Sequence, residues 1–203
     1  MLNVSIIGYG YWGSKLARNF QNSSYFNILS ISDIKKINLN LVKKNLPTVE
    51  CYLDYKKAIN NNLLDLVVIS TPTSSHFKIA KYALDKSKHV LVEKPLCMSL
   101  KQVKILNKIA RQKRKMIFVD YPFLFSGSIN FIKKVIKKNK YGKILEIESF
   151  REQAPVRKDT NVIWDLGAHD ISILTYLLKS KPLKIKSISA QNIKKGVCDR
   201  VYI

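Results

Sequence analysis

The chain has 203 residues, enough for one large or two small domains, and its 46% of apolar residues can fill a sizeable core. A net charge of +22 admits a nucleic-acid partner, but only six of the 36 basic residues are arginine and the lysines are scattered over every predicted helix, which favours solvated helix faces. No apolar run reaches the roughly 20 residues that span a bilayer, and no charged leader is present, so we expect a cytoplasmic protein without a membrane partner. The three cysteines lack a metal-ligand spacing, so we expect no metal, and the scattered lysines lead us to expect no nucleic-acid partner.

Strand and helix patterns alternate in the first 121 residues. Short apolar runs rich in Val and Ile lead into segments with helical spacing, and prolines stop several of the runs. The runs occupy residues 3–8, 26–33, 63–71, 88–95 and 115–122, and the helical segments occupy residues 12–22, 38–46, 74–87 and 99–114. Residues 51–61 hold a short segment and a helix. Such alternation is typical of βαβ units, so we predict an α/β domain over residues 1–121 with a Rossmann-type, doubly wound parallel sheet.

The rhythm of the sequence changes after Tyr121. Helical spacing occurs in residues 126–142 and 164–180, and strand patterns occur in residues 143–152, 184–193 and 199–203. We predict a partial α+β domain over residues 122–203 with an open, mostly antiparallel sheet. Because the last strand pattern would leave an unpaired apolar edge, we expect either a C-terminally truncated chain or a homo-oligomer in which a partner completes the sheet.

Three glycines, Gly8, Gly10 and Gly13, stand at G-x-G-x-x-G spacing between the first strand and the first helix. Gly8 would permit a tight turn, Gly10 a close approach of the backbone to a pyrophosphate, and Gly13 close packing of the helix on the strand. The helix N-terminus would hold the phosphates, so we expect Tyr11 and Trp12 to contact a dinucleotide as well. A turn without a ligand is the alternative.

Asp33 ends the second strand, 20 residues after the third glycine. A carboxylate at this point accepts hydrogen bonds from an adenine ribose and repels a 2′-phosphate, which favours NAD over NADP as cofactor. Lys35 and Lys36 weaken that preference, so NADP stays possible. The alternative is that Asp33 caps the end of the strand.

Two further loops follow strands and therefore lie at the ligand-binding edge of the predicted sheet. In residues 70–76, STPTSSH, small polar residues surround a proline, although Ser74 or Ser75 could simply cap the next helix. In residues 93–95, EKP, Lys94 could donate a hydrogen bond to a substrate oxygen and stabilise its negative charge. An ordinary surface lysine is the alternative there.

Asp165 and His169 are four residues apart in WDLGAHDI, a spacing that places them on one face of a helix. Histidine is suited to exchanging the proton of a hydroxyl near neutral pH. Alternatively, Asp165 is a helix N-cap and His169 only sits in the first turn.

These motifs in this order resemble the Gfo/Idh/MocA family of oxidoreductases, which includes glucose-fructose oxidoreductase and inositol dehydrogenase. The resemblance runs the length of the chain and implies hydride transfer between NAD or NADP and a hydroxyl of a sugar, polyol or sugar nucleotide. It implies Lys94, Asp165 and His169 as catalytic residues, and a Lys94–Pro95 peptide bond that can be cis.

The resemblance also assigns binding residues. Cofactor contacts are implied at Thr71, Pro72, His76, Glu93 and Lys94, besides the glycine turn and Asp33; substrate contacts are implied at Lys94, Tyr121, Arg151, Asp165 and His169. Arg157 and Lys158 could also meet an acidic sugar, or be solvated charges. Since the family's C-terminal sheet is usually larger, two alternatives stay open, an NAD-binding remnant or regulatory protein without turnover and an NAD-using glycosidase of the same fold.

Overall fold

The structure is a computed structural model that describes residues 1–139, 141–152, 160–191 and 198–203. It divides into two units, Met1–Asp120 and Tyr121–Ile203, which are described separately. None of the helices in these described ranges is both long and apolar enough to cross a membrane.

The first unit is built on a six-stranded parallel sheet. Its strands pair in the order β3-β2-β1-β4-β5-β6, so the direction of winding reverses between β1 and β4. The strands are β1 Leu2–Ile7, β2 Phe26–Ser32, β3 Glu50–Tyr52, β4 Leu66–Ile69, β5 His89–Glu93 and β6 Ile117–Asp120. This order confirms the predicted doubly wound sheet and places the carboxyl ends of all its strands at one edge.

Helices cover both faces of this sheet. They are α1 Tyr11–Gln21, α2 Lys36–Asn45, α3 Tyr55–Ile59, α4 Thr73–Asp85 and α5 Leu100–Lys113. Ile6 packs in one buried cluster with Ala17 and Phe20 of α1, whereas the next residue, Ile7, packs in a second cluster with Ile79 of α4. Because successive strand residues point to opposite faces, both of which are covered, the strands are mostly apolar, and the buried hydroxyls of Ser5 and Ser30 pair with each other at 2.7 Å.

The second unit contains two longer helices and a small sheet. A 3₁₀ turn, Pro122–Phe125, precedes α6 Gly127–Lys138, and a π-helical segment, Ile163–Gly167, leads into α7 Ala168–Leu178. Strands β7 Ile188–Ala190 and β8 Arg200–Tyr202 pair antiparallel, which confirms the predicted direction of pairing.

The strand predicted over residues 143–152 is wrong. None of these residues joins a ladder in the part of the chain that the structure describes, and Leu145 and Phe150 are exposed at 96% and 87%. Alternation of apolar and polar residues forms a strand only where another strand satisfies its backbone groups and a surface covers its apolar side. Residues 143–152 have neither within the described ranges.

Candidate functional site

The turn between β1 and α1 requires glycine at its first position. Gly8 has a φ of +96°, a conformation that residues with a side chain rarely adopt. A Cβ there would lie 2.8 Å from the carbonyl oxygen of Ser70, which follows β4. The tight turn expected at Gly8 is therefore present, and it brings the loops after β1 and β4 into direct contact.

The other two glycines differ in their surroundings. A Cβ on Gly13 would overlap the Gly8 carbonyl oxygen and lie 2.8 Å from Ser70 Oγ, whose hydroxyl donates a 2.8 Å hydrogen bond to that same carbonyl. A Cβ on Gly10 would have no heavy atom within 4 Å. Gly10 is also the N-cap of α1 and offers no side chain to cap its first amides, so the helix N-terminus can receive an anionic group.

Tyr11 and Trp12 begin α1 on its solvent side. Their side chains are exposed at 71% and 54%, and the rings meet edge to face at 5.3 Å between centroids. Lys15 Nζ lies 3.8 Å from the Tyr11 ring centroid and 4.7 Å from that of Trp12. Both aromatic side chains can be reached by a ligand on the glycine turn, and their predicted cofactor contacts stay predictions.

Asp33 ties the glycine turn to the loop after β2. Its Oδ2 accepts hydrogen bonds from the Tyr9 amide at 2.8 Å and from Asn38 Nδ2 at 2.9 Å, and its Oδ1 accepts one from the Lys35 amide at 2.8 Å. A carboxylate offers about four acceptor positions, so one remains for a ribose hydroxyl. The same side chain can thus shape the turn and receive the sugar.

The loop between β4 and α4 differs in one detail from the prediction. Helix α4 begins at Thr73 with Pro72 as its N-cap, so a cap by Ser74 or Ser75 is wrong. Ser75 Oγ instead donates to the Pro72 carbonyl at 2.7 Å and lies 2.7 Å from Thr71 Oγ1. Pro72 sets the start of the helix because a proline disfavours helical backbone at the residue before it, so the helix does not extend further towards the N-terminus.

His76 is buried beneath this loop, with only 1% of its surface exposed. Its Nε2 lies 2.8 Å from the Thr71 carbonyl oxygen and its Nδ1 lies 2.9 Å from the Pro95 carbonyl oxygen. Burial lowers the pKa of His76, and the two carbonyls only partly oppose this effect. The resemblance predicts a cofactor contact for this residue, but a ring so enclosed is placed to hold the two loops above it.

Glu93 and Lys94 leave the sheet at the end of β5. The Lys94–Pro95 peptide bond is cis, as the resemblance anticipates. Glu93 pairs in register with Asp120, the last residue of β6. Burial, and then the charge of Asp120, raise the pKa of Glu93 to about 7, against the opposing charge of Lys94, and burial also raises the pKa of Asp120.

Asp120 was missed in the sequence analysis, although an acidic residue at the end of a buried strand is a visible signal. Its significance depends on the register that sets it beside Glu93, and the sequence does not show that register.

The described residues contain no group of three or more His, Cys, Asp or Glu side chains arranged to hold a metal ion.

In the second unit, Asp165 lies within the π-helical segment and His169 in the first turn of α7, both half-buried. The alternative role of Asp165 as N-cap is wrong. Asn161 Oδ1 accepts hydrogen bonds from the amides of Ile163 at 2.8 Å and Trp164 at 3.3 Å, so the asparagine side chain caps this end of the helix.

Arg151 is engaged by an internal partner. Its Nε and Nη2 donate to the two carboxylate oxygens of Asp170, each at 3.0 Å, and Ser149 Oγ donates to Asp170 at 2.9 Å. Burial alone would raise the pKa of Asp170, but these hydrogen bonds hold that pKa below its ordinary value. The Phe123 ring lies between Arg151 and His169, 4.6 Å from the guanidinium carbon and 4.9 Å from the imidazole centroid.

Three further residues were candidates for contact with the substrate, namely Tyr121, Arg157 and Lys158. Tyr121 opens the second unit with a half-buried side chain, and burial raises the pKa of its hydroxyl. Arg157 and Lys158 lie outside the described residues. Asp170 was not singled out from the sequence, because a fork between an arginine and a carboxylate 19 residues apart is a tertiary contact.

Comparisons with known proteins agree with this geometry. A model of the GFO_IDH_MocA oxidoreductase family, with an NAD-binding Rossmann fold, matches residues 2–121. Myo-inositol 2-dehydrogenase of Thermotoga maritima is 24% identical over 87% of this chain and 55% of its own length. The NADP(+) scyllo-inositol 2-dehydrogenase IolW of Bacillus subtilis is 23% identical over 100% of this chain and 59% of its own.

Solved structures show the same fold. The crystal structure of scyllo-inositol dehydrogenase from Lactobacillus casei, with bound NAD(H) and scyllo-inositol, superposes with a TM-score of 0.81 at 18% identity, over 96% of this chain and 61% of that one. The chain spans about half the length of the curated relatives that it matches.

Proposed function

The chain belongs to the GFO_IDH_MocA oxidoreductase family with its NAD-binding Rossmann fold, and from that premise we propose that it transfers a hydride between NAD or NADP and a hydroxyl-bearing carbon. The proposed substrates are sugars, polyols and sugar nucleotides, a class that includes the inositols named in the relatives. The observation that carries the proposal is the carboxyl edge of the parallel sheet, where the glycine turn, Asp33 and the Lys94–Pro95 loop all leave their strands.

The residues of this edge fit a dinucleotide. Side chains at Gly8 and Gly13 would collide with the loop after β4, whereas the space beside Gly10 is open for phosphates in front of the α1 N-terminus. Asp33 keeps one acceptor position for a ribose hydroxyl after its three internal hydrogen bonds. When bound, the nicotinamide supplies the acceptor or donor of the hydride.

The proposed catalytic roles belong to three side chains. Lys94 donates a hydrogen bond to the reacting oxygen and stabilises the negative charge that develops on it. His169 takes the hydroxyl proton during oxidation and returns it during reduction, and Asp165 orients the substrate hydroxyl. The Phe123 ring packs edge to face on the His169 imidazole and so limits its rotation.

The proposal is tested by measuring both dinucleotide binding and the rate of nicotinamide reduction. Calorimetry measures the affinity of the purified chain for NAD(H) and NADP(H), and absorbance of the reduced nicotinamide is followed with myo-inositol, scyllo-inositol, sugars and sugar nucleotides. We expect the chain to bind at least one dinucleotide. We also expect it to reduce that dinucleotide in the presence of at least one polyol or sugar. His169→Asn should abolish turnover while leaving dinucleotide affinity unchanged, since the proposed role of His169 is proton transfer and not cofactor binding.

Two results would contradict the proposal. A chain that binds neither dinucleotide has no cofactor site at the glycine turn. A chain that binds a dinucleotide but oxidises none of these alcohols is an NAD-binding protein without turnover, which was the alternative from the sequence.

A further inference from the structure

One buried side chain connects two loops at the carboxyl edge of the first unit. His76 lies in the first turns of α4, and its ring nitrogens face the Thr71 carbonyl of the β4–α4 loop and the Pro95 carbonyl of the β5–α5 loop, at 2.8 and 2.9 Å. Thr71 precedes the helix that follows β4, and Pro95 follows Lys94 directly. The imidazole therefore spans the space between the predicted cofactor loop and the predicted catalytic lysine.

The ring is enclosed from solvent. Its surface is 1% exposed, Pro95 is buried, and α4 packs its other apolar residues, Ile79 and Ala83, into the core. Little water can compete for these contacts, so the hydrogen bond that the ring donates costs more to lose than one at the surface. An apolar residue at this position would leave the buried Pro95 carbonyl and the partly buried Thr71 carbonyl without the ring as a partner.

The two nitrogens cannot both donate when the ring is neutral. A neutral imidazole carries one N–H, so it donates to one carbonyl at a time, and the tautomer decides which loop receives the hydrogen bond. Desolvation of the ring favours this neutral form. The rigid five-membered ring still fixes the spacing of the two carbonyls, because one oxygen lies 2.8 Å from Nε2 and the other 2.9 Å from Nδ1.

We propose that His76 is a positioning residue that sets the spacing between the Thr71 loop and the Lys94–Pro95 loop. This role rests on the proposed function, since the spacing matters when one loop contacts a dinucleotide and the other carries Lys94. This role requires no contact between the ring and the cofactor, because the imidazole acts through the two carbonyls that it faces. Its loss should weaken dinucleotide binding and loosen the Lys94 loop without removing any residue that binds.

The side chains of asparagine and glutamine separate the two contacts. The amide of His76→Asn reaches the place of Nδ1 and keeps the Pro95 contact, whereas the longer His76→Gln reaches the place of Nε2 and keeps the Thr71 contact. His76→Leu keeps the apolar volume and loses both. Lys78→Ala, on an exposed position of the same helix, is the matched control.

The experiment maps amide hydrogen exchange over the full chain of each variant and measures its NADH affinity by calorimetry. We expect faster exchange of the amides after Thr71 in His76→Asn, of the amides after Pro95 in His76→Gln, and of both in His76→Leu. NADH affinity should fall about tenfold in His76→Leu and stay unchanged in Lys78→Ala. A leucine variant that fails to fold leaves the contrast between asparagine and glutamine as the deciding result.

Equal exchange of both loops in His76→Asn and His76→Gln, or unchanged exchange in all three variants, would overturn the positioning role. Unchanged NADH affinity in a folded leucine variant would do the same. A wild-type chain that does not bind NADH at all contradicts the proposed function instead, and the exchange pattern then still reports whether His76 joins the loops.

Discussion

Gly8 and Gly13 occupy backbone positions that a side chain would disturb, whereas a side chain at Gly10 would face open space. The first two glycines are therefore required by the fold itself, because the turn and the loop after β4 lie in contact. Only Gly10 is left to be explained by a ligand. This difference separates the stability of the domain from its affinity for a dinucleotide, two properties that the motif alone does not distinguish.

Alanine substitutions test this separation. Gly13→Ala should lower the free energy of unfolding by about 2 kcal/mol or more, because its Cβ overlaps backbone atoms that cannot rotate away. Gly10→Ala should lower it by only about 1 kcal/mol, the cost of alanine as an N-cap, yet weaken NADH binding, since the new methyl group faces the phosphates. Urea unfolding and calorimetric titration measure the two quantities. Strong NADH binding by Gly10→Ala would show that the phosphates do not lie over the turn.

The carboxyl pair of Glu93 and Asp120 introduces a dependence of stability on pH. The pKa of Glu93 is raised in the folded chain, to about 7 from an ordinary 4.5, so the folded state holds a proton that the unfolded state has already released. The contribution of Glu93 to stability is then fully present below about pH 4.5 and is lost as the pH rises through about 7. Asp120 acts in the same direction, since burial raises its pKa as well.

Glu93→Gln should remove most of this dependence and make the protein more stable than the wild type at about pH 8. Unfolding midpoints in urea at three pH values measure the effect. Asp85→Asn is the control, because it removes only an exposed ion pair with Lys81 and should leave the slope with pH unchanged. An identical pH profile for Glu93→Gln and the wild type would refute the shared environment of the two carboxyls.

Among the elements, helix α7 is attached to residues 149–151 through one carboxylate. Asp170 receives the fork of Arg151 and the hydroxyl of Ser149, and the ion pair is largely shielded, with 24% and 21% of the two side chains exposed. A shielded bidentate pair stabilises more than a surface pair. The structure thus gives Arg151 an internal role that competes with its predicted contact to the substrate.

A double-mutant cycle decides between these two roles. Arg151→Met and Asp170→Asn should each lower the free energy of unfolding of the second unit by about 1–3 kcal/mol. Because the two side chains act as one pair, the double variant should lose no more free energy of unfolding than either single variant. Turnover, where present, should fall in parallel in both single variants. If Arg151 binds the substrate instead, Arg151→Met will raise KM and Asp170→Asn will not.

Elements formed by local patterns were predictable, and those that depend on tertiary partners were not. Buried strands read as short runs rich in Val, Ile and Leu, so β1, β4 and β5 could be located from the sequence together with the glycine turn. Residues 143–152 alternate like a strand but find no partner in the described ranges. The bridging position of His76 and the register of Glu93 with Asp120 likewise arise only when distant segments meet.

At the scale of the whole molecule, the buried core of the described residues belongs to the first unit. Both buried clusters draw their members from the first 119 residues, whereas α6 and α7 contribute no fully buried residue. The family match ends at residue 121, close to the end of β6. Apolar burial is the main source of folding free energy, so the stability of the chain should reside in this unit.

A shortened chain of residues 1–120 therefore should fold on its own. We expect a single cooperative urea transition with a midpoint close to that of the main transition of the full chain, because every strand of the six-stranded sheet and both clusters are retained. It should also bind NADH with the affinity of the full chain, since Gly10 and Asp33 lie within it, while lacking turnover without His169. A shortened chain that stays unfolded would show that residues after Asp120 supply free energy that the buried clusters do not account for.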